Sequence, residues 1–147
     1  MQAPSHIFLQ AGVGGLAGAA AAMARKLWGQ DSLIVVVEPS HAAALHGCII
    51  AGDFITATGL DSAMGRLDCK EASLIALKGL ARDADVFALI TEAEGQAGAD
   101  YAATHAMKST ASGAAGLAGL LASQSHRAAL KLDRSSHVML IMSEGPE

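Results

Sequence analysis

The chain has 147 residues, 52% of them hydrophobic, and a formal charge of −4 at pH 7. This apolar content, with a mean hydropathy of +0.37, excludes an intrinsically disordered chain. Without a basic excess, nucleic acid is not expected as a partner. The length suits a single α/β domain over residues 1–147, and the 16 glycines favour helices packed closely on a sheet.

An apolar stretch near the start has to be tested as a membrane segment. Residues 7–24 contain no charge, but they include four glycines and Gln10, and no Lys or Arg precedes them. Neither a membrane span nor a signal peptide is therefore expected. Neither Cys48 and Cys69 nor the six histidines have the spacing of a metal site. We expect a cytoplasmic protein with two free, buried thiols and no metal.

Strand and helix patterns alternate along the chain. Apolar, β-branched runs predict strands at 6–10, 32–38, 85–90 and 137–142, and helical patterns occupy 15–28, 40–46, 71–82, 92–107 and 113–123. The second strand is apolar on both faces, which is typical of a parallel strand covered on both sides. The order predicts an α/β, three-layer fold, with a mostly parallel sheet of about four strands and helices on both faces.

Polar residues before the helical patterns predict where the helices begin. We expect Ser40 to cap the second helix, Thr91 to cap the fourth and Ser112 to open the fifth. Glu94, in the first turn after Thr91, is favoured there by the helix dipole. On the third helix the apolar side chains share one face, which we expect to be buried: Leu74, Leu77 and Ala81.

The strongest chemical feature lies between the first strand and the first helix. It reads Gln10-Ala11-Gly12-Val13-Gly14-Gly15-Leu16-Ala17-Gly18. Glycines at such a junction let backbone N–H groups converge, and the helix N-terminus adds about half a positive charge. The loop therefore predicts a phosphate site that needs no Lys or Arg. A glycine turn that serves only tight helix packing is the alternative.

Spacing alone leaves several functions open. Gly12-x-Gly14-x-x-Ala17 fits the dinucleotide fingerprint, and Glu38 ends the next strand where a ribose-binding acid is expected. A Rossmann-like module that binds a nicotinamide dinucleotide is therefore one hypothesis. A non-catalytic interaction domain is another.

Four segments, taken in order, carry a resemblance to a known family. They are the glycine loop, Val36-Val37-Glu38-Pro39, Met64-Gly65-Arg66-Leu67-Asp68-Cys69, and Leu140-Ile141-Met142-Ser143-Glu144-Gly145. Together they resemble the C-terminal part of the tryptophan synthase β-like (fold type II) pyridoxal-phosphate-dependent enzymes, and within that group most closely the diaminopropionate ammonia-lyases. The resemblance extends from His6 to Gly145.

This resemblance implies a cofactor, a reaction and site residues. The cofactor would be pyridoxal 5'-phosphate (PLP), with Ser143 against its pyridine nitrogen. A neutral hydroxyl does not hold that nitrogen protonated, which suits α,β-elimination of ammonia from 2,3-diaminopropionate or a similar amino acid. The backbone of five residues would cradle the phosphate: Gly12, Val13, Gly14, Gly15 and Leu16.

Two departures from the family limit what can be transferred. Relatives usually carry Glu-Ser-Gly-Ala where this chain has Ala111-Ser112-Gly113-Ala114, so the role of that glutamate is not transferred. The family also binds PLP through a lysine in its N-terminal half, upstream of the matched segments. We expect the five lysines present to be solvated surface residues: Lys26, Lys70, Lys78, Lys108 and Lys131.

The sequence thus predicts a fragment or split relative of a PLP-dependent ammonia-lyase. The isolated chain, without a Schiff-base lysine, is expected to be inactive. Its expected partners are a small amino acid in the complete enzyme, and either a second copy of itself or the missing N-terminal half, because an uncovered sheet edge or apolar face favours association.

Overall fold

Four parallel strands form one sheet in a computed structural model that describes residues 1–146. The strands are β1 (His6–Gln10), β2 (Leu33–Pro39), β3 (Val86–Ile90) and β4 (Val138–Leu140). Their order is β3-β2-β1-β4, so β1 is central, and Ile7 lies beside Ile34 of β2 and Met139 of β4. The predicted α/β class and parallel sheet are confirmed.

Helices cover both faces of the sheet. They are α1 (Gly15–Trp28), α2 (Ala44–Ala51), α3 (Leu74–Asp83), α4 (Glu92–Thr104), α5 (Ala115–Ala122) and α6 (Arg127–Leu130), with short 3₁₀ turns at Gly65–Leu67 and Ser123–His126. Side chains of a strand alternate between its faces. Ile7 and Leu9 therefore pack with α1, α2 and α3, whereas Phe8 packs with α5 and α6. Helix α4 packs against α5.

Small residues set the distances between these layers. A Cβ built on Gly98 of α4 would lie 2.6 Å from the Cβ and 2.9 Å from the Cα of Ala118 in α5, and one built on Gly119 would lie 2.5 Å from a methyl group of Val37. On the other face, Gly18 of α1 approaches Ala76 of α3, with 3.6 Å to its Cα. The glycine content thus lets helices pack closely on one another and on the sheet.

The second helix corrects one predicted boundary. Ser40 lies exposed in the turn after β2 and caps no helix, and α2 runs from Ala44 to Ala51 instead of over 40–46. The cap comes from Glu38, whose carboxylate oxygens accept hydrogen bonds from the backbone N–H of Leu45 at 2.7 Å and of His46 at 2.8 Å. A carboxylate seven residues upstream lies outside the local capping patterns that a sequence displays.

The other helix starts are partly as predicted. Thr91 caps α4 in a capping box with Glu94, which confirms that prediction. Ser112 does not open α5, which begins at Ala115; its hydroxyl accepts from the backbone N–H of Arg66 at 3.3 Å. Ser73, which the sequence analysis passed over, caps α3 by accepting from the N–H of Ala76.

The predicted buried face of α3 is confirmed only at Leu77, which is partly buried against the core. Leu74 is 51% exposed and Ala81 is exposed, while Ala76 and Leu80 are buried. The small side chain of Ala76 is the one that α1 can approach closely, so packing between the two helices selects it over the larger leucine.

The helices are short. Within the described range 1–146, none has both the length and the apolar character needed to span a membrane. Strand β4 is also shorter than the predicted 137–142, and residues 141–146, which we call the tail, follow it without regular secondary structure.

Substituting Gly98 tests the close contact between α4 and α5. Gly98→Ala forces a methyl group against the Ala118 backbone, and we expect it to lower the free energy of unfolding by about 1–3 kcal/mol. Gly79→Ala in α3 is the matched control, because a Cβ there meets no atom within 4 Å and alanine favours the helix by about 0.5–1 kcal/mol. Urea unfolding followed by Trp28 fluorescence measures both. Equal stability of the two variants would contradict the packing.

The raised pKa of Glu38 predicts how the free energy of unfolding depends on pH. Burial raises its pKa from 4.5 to about 7, against the lowering effect of the two backbone hydrogen bonds. The folded state therefore holds this proton more tightly than the unfolded chain. The contribution of Glu38 is greatest below pH 4.5 and is lost as the pH rises through about 7, a total change of about 3 kcal/mol.

Glu38→Gln should remove this slope, because glutamine does not titrate. Asp31→Asn, at an exposed carboxylate, should retain it. The free energy of unfolding, measured by urea titration across that pH range, distinguishes the two variants. A slope that survives in Glu38→Gln would assign it to another group.

Candidate functional site

A cleft of about 280 Å³ opens at the carboxyl end of the sheet. Residues 10–16 after β1 form one wall, Arg66, Leu67 and Cys69 form another, and Ser143 and Glu144 of the tail after β4 complete it. Open parallel sheets bind ligands outside the carboxyl ends of their strands. The cleft thus brings together residues 10–16 of the glycine loop and Ser143, which are 127 residues or more apart in the chain.

Gly14 turns the loop into helix α1. Its φ of 101° is left-handed, and it precedes the first residue of α1 without any side-chain cap. A Cβ there would also lie 3.0 Å from the Cβ of Ala76 and 3.1 Å from a methyl group of Leu45. Both the backbone conformation and the neighbouring side chains therefore require glycine.

The loop presents a row of unsatisfied donors. Among residues 1–146, no acceptor receives a hydrogen bond from the backbone N–H groups of Gly12–Leu16, which we call the glycine cradle. Val13, Gly15 and Leu16 are exposed to solvent, and the first turn of α1 has no acidic residue. Free N–H groups at a helix N-terminus attract an anion, and phosphate is the group that this geometry suits.

The turn Gly65–Leu67 closes on the cradle. A Cβ built on Gly12 would lie 3.1 Å from the Arg66 carbonyl oxygen, 3.2 Å from Cys69 Sγ and 3.3 Å from the Cα of Leu67. This close approach explains why position 12 is a glycine. It also places the cation of Arg66 and the thiol of Cys69 at the cleft, two residues to which the sequence analysis gave no role at this site.

Ser143 is held by the chain segment before α5. Its backbone N–H donates to the Gly113 carbonyl at 3.3 Å, and its own carbonyl accepts from the Ser109 hydroxyl at 2.9 Å. A Cβ on Gly113 would overlap the Ser143 carbonyl oxygen. The close approach of the two backbones therefore fixes where the Ser143 hydroxyl lies.

Gln10, the last residue of β1, lies directly beneath this hydroxyl. The side chain is 2% exposed, and its Nε2 donates to Ser143 Oγ at 3.0 Å and to the Ile141 carbonyl at 2.9 Å. No role at the site was predicted for this residue. The available signal was a polar side chain that follows the apolar run Ile7-Phe8-Leu9.

Charge at the tail is balanced locally. Glu144 accepts a hydrogen bond from the Thr110 hydroxyl, and its other oxygen lies 4.0 Å from Nε of Arg66. The carboxylate is thus paired where it borders the cleft, which limits its repulsion of a bound anion.

No lysine lines the cleft. Four of the five are exposed, as predicted, but Lys70 is not a solvated lysine. Its ammonium donates to the carbonyls of His41 at 2.8 Å and Leu60 at 2.9 Å, and to Asp68 Oδ1 at 2.6 Å. All three of its protons are used in these hydrogen bonds. Lys70 therefore ties the turn at His41 to the loop that contains Leu60 and Asp68.

The residue proposed for a nicotinamide dinucleotide is not available to a ligand. Glu38 is fully buried, both of its oxygens accept backbone hydrogen bonds, and it does not line the cleft. It therefore cannot bind a ribose, and the dinucleotide hypothesis is not supported.

The cysteines and metal-ligating side chains are dispersed. Cys48 is buried, whereas Cys69 is only partly buried, and both are free thiols. In the part of the chain that the structure describes, no three His, Cys, Asp or Glu side chains are grouped to hold a metal ion.

Comparison with known proteins assigns the family. Residues 1–144 match the family described as pyridoxal-phosphate dependent enzyme, and the chain belongs to this family, whose cofactor is pyridoxal phosphate. No curated protein sequence matches the chain.

Solved structures of the family share the fold. Diaminopropionate ammonia-lyase from Escherichia coli, solved with an aminoacrylate-PLP azomethine reaction intermediate, is 27% identical with a TM-score of 0.87, over 97% of this chain and 39% of that enzyme. The processed form of threonine deaminase isoform 2 from Solanum lycopersicum is 18% identical with a TM-score of 0.88, over 100% of this chain and 42% of that enzyme. An L-serine ammonia-lyase from Rhizomucor miehei is 20% identical with a TM-score of 0.85, over 98% of this chain and 46% of that enzyme. The chain spans less than half the length of each.

Gly113 tests the attachment of the Ser143 tail. Gly113→Ala places a methyl group on the Ser143 carbonyl, so the tail must move, and we expect the unfolding free energy to fall by about 1–3 kcal/mol. Gly65→Ala is the control, because a Cβ there meets no atom within 4 Å. Thermal and urea unfolding measure the difference. A Gly113→Ala protein as stable as Gly65→Ala would show that the tail is not held in this way.

Proposed function

We propose that this chain forms the cofactor-binding part of a PLP-dependent ammonia-lyase. The glycine cradle would hold the phosphate and Ser143 would contact the pyridine nitrogen. The observation that carries the proposal is the convergence, in one cleft, of five unpaired backbone N–H groups and a hydroxyl supported from below by a buried amide. When bound, PLP supplies an electron sink for reactions at the α-carbon of an amino acid.

The cradle suits the phosphate end of this cofactor. Its N–H groups bind a dianion through the helix dipole and directed hydrogen bonds, with no lysine in contact. Arg66 adds a positive charge at the same opening. Because Gly14 is held in a left-handed conformation by the fold, the donors are ordered before the ligand arrives, which lowers the entropy cost of binding.

Ser143 suits the other end. A serine hydroxyl is neutral at every physiological pH and can donate a hydrogen bond to an unprotonated ring nitrogen. The resulting electron sink is weaker than one that an aspartate would maintain, and it is sufficient for loss of an α-proton followed by expulsion of a β-substituent. This favours α,β-elimination of ammonia, with 2,3-diaminopropionate or a similar amino acid as the substrate. The 27% identity to the Escherichia coli ammonia-lyase supports this choice.

The lysine that the chemistry requires would come from outside this sequence. A lysine is needed both to bind the cofactor covalently and to move the α-proton. None of the five lysines reaches the cleft, and Lys70 already donates three hydrogen bonds elsewhere. We therefore propose that the 147 residues act as a fragment or split relative, with a segment equivalent to the N-terminal half of the relatives supplying this lysine.

Such an arrangement needs a surface for association. The outer faces of α1 and α3 expose apolar side chains, including Met23 at 54%, Leu27 at 60% and Ile75 at 86%. Large apolar side chains exposed on neighbouring helices favour an interaction surface. This supports association with the complementary segment or with a second copy of the chain.

Binding of PLP to the isolated chain tests the proposal. Wild type should bind PLP non-covalently, with inorganic phosphate as a competitor. Gly14→Ala should weaken binding by about tenfold or more, because it strains the cradle and moves its donors. Gly18→Ala, one turn further along α1 where a Cβ meets only ordinary contacts of 3.6 Å or longer, should bind as wild type does. Equilibrium dialysis gives the affinities, and circular dichroism verifies folding.

Borohydride treatment tests whether a lysine of this chain binds PLP covalently, as a complete enzyme of the family would. Reduction of the PLP-loaded chain should leave no pyridoxyl group on any lysine, as mass spectrometry would show. Stoichiometric labelling of one lysine, or PLP binding that phosphate does not compete with and Gly14→Ala does not weaken, would overturn the proposal.

A further inference from the structure

The last residue of β1, Gln10, places a buried amide at the site. The preceding residues Ile7, Phe8 and Leu9 are apolar and fully buried, and Gln10 is only 2% exposed. A buried amide destabilises a fold where its donors or acceptors are left unused, and within residues 1–146 the Oε1 of Gln10 accepts no hydrogen bond. Because Gln10 lies only two residues before Gly12, the first residue of the glycine cradle, its amide is placed to act on the site.

Its orientation follows from its neighbours. Nε2 lies 2.9 Å from the Ile141 carbonyl oxygen and 3.2 Å from the Gly113 carbonyl oxygen. Carbonyl oxygens only accept hydrogen bonds, so the NH2 end of the amide must face them. The same nitrogen lies 3.0 Å from Ser143 Oγ. Its two protons serve the two shortest contacts, which are to the Ile141 carbonyl oxygen and to Ser143 Oγ, and the longer contact to the Gly113 carbonyl shares one of them. Ser143 therefore receives a hydrogen bond from Gln10 and does not donate one to it.

The direction of the hydrogen bond between Gln10 and Ser143 decides where the hydroxyl proton of Ser143 points. A hydroxyl has one proton and two lone pairs, and here Gln10 occupies a lone pair. Within residues 1–146 the Ser143 hydroxyl has no other hydrogen-bond partner. Its proton is thus left for an acceptor that enters the cleft.

We propose that Gln10 is a positioning residue that sets Ser143 as a hydrogen-bond donor to an unprotonated pyridine nitrogen. The inference rests on the proposed function, because it concerns how the same cleft holds the ring of PLP. The protonation state of the ring is thus set by a neutral side chain, whose orientation the Ile141 and Gly113 carbonyls determine.

Titratable groups nearby do not set this polarity. Arg66, Cys69 and Glu144 line the same cleft, but none of them hydrogen-bonds to Ser143 Oγ or to the Gln10 amide. Glu144 is instead paired with the Thr110 hydroxyl and lies near Arg66. The amide neither gains nor loses a proton, so the serine stays a donor at slightly acidic and slightly alkaline pH alike.

The probe is 4'-deoxypyridoxine 5'-phosphate labelled with ¹⁵N in its ring. It carries the phosphate and the ring nitrogen but no aldehyde, so it cannot react with a lysine. Bound to wild-type chain, its ¹⁵N resonance should have the position of a hydrogen-bonded, unprotonated nitrogen and stay there as the pH is lowered to slightly acidic values. In Gln10→Met the hydroxyl is free to turn away, so the resonance should move upfield on acidification and the affinity should fall about tenfold.

A double-mutant cycle distinguishes positioning from a structural role. Ser143→Ala should produce the same upfield movement as Gln10→Met, and the double variant should show no further change, because both changes remove one interaction. Additive effects on affinity, or a ¹⁵N resonance in Gln10→Met that stays as in wild type, would overturn the inference.

A second measurement needs no change at Gln10, whose substitution could prevent folding. In ¹⁵N-labelled chain, the side-chain NH2 signals of Gln10 should shift in Ser143→Ala and also when the probe binds to wild type. Unchanged signals would show that the hydrogen bond to Ser143 is absent. If instead the probe binds equally well to Gly14→Ala, the proposed function itself fails. A cradle-dependent affinity combined with an unaltered ¹⁵N resonance rejects only the role of Gln10.

Discussion

The parallel pairing of β1 between β2 and β4 is the constraint on which the rest of the structure depends. Because all the strands point the same way, the loop after β1 and the tail after β4 leave the sheet at one edge. The pairing with β4 ends at Phe8 and Leu140, and Gln10 continues the connection by hydrogen-bonding to the tail. The cleft exists because two distant segments are tied to the same central strand.

Glycine serves two purposes around that strand. In the cradle, Gly14 supplies a left-handed backbone conformation and leaves N–H groups free for an anion. Gly12 at the start of the cradle, like Gly98 and Gly113 elsewhere, allows segments to approach so closely that a Cβ would crowd or overlap its neighbour. A site built from backbone groups needs this proximity, since only close packing fixes backbone atoms well enough to bind a ligand.

Glu38 shows a compromise between burial and capping. Ala43, the residue that precedes α2, has no side chain that could cap the helix. The N–H groups of Leu45 and His46 instead donate to the buried carboxylate of Glu38. Desolvation raises the pKa of that carboxyl to about 7. The helix start that positions Leu45 against Gly14 thus depends on a carboxyl whose raised pKa lets it take up a proton around neutral pH.

The alternation of strands and helices, the parallel sheet and the glycine loop could be predicted from the sequence, because hydrophobic periodicity and glycine spacing are local properties. Ser143 was found through the resemblance to a family. The roles of Glu38 as a buried cap, of Lys70 as a link between loops and of Gln10 as a support for Ser143 emerge only in the folded chain. Those roles depend on partners up to 133 residues away, and no local pattern encodes which side chains the folded sheet brings into contact.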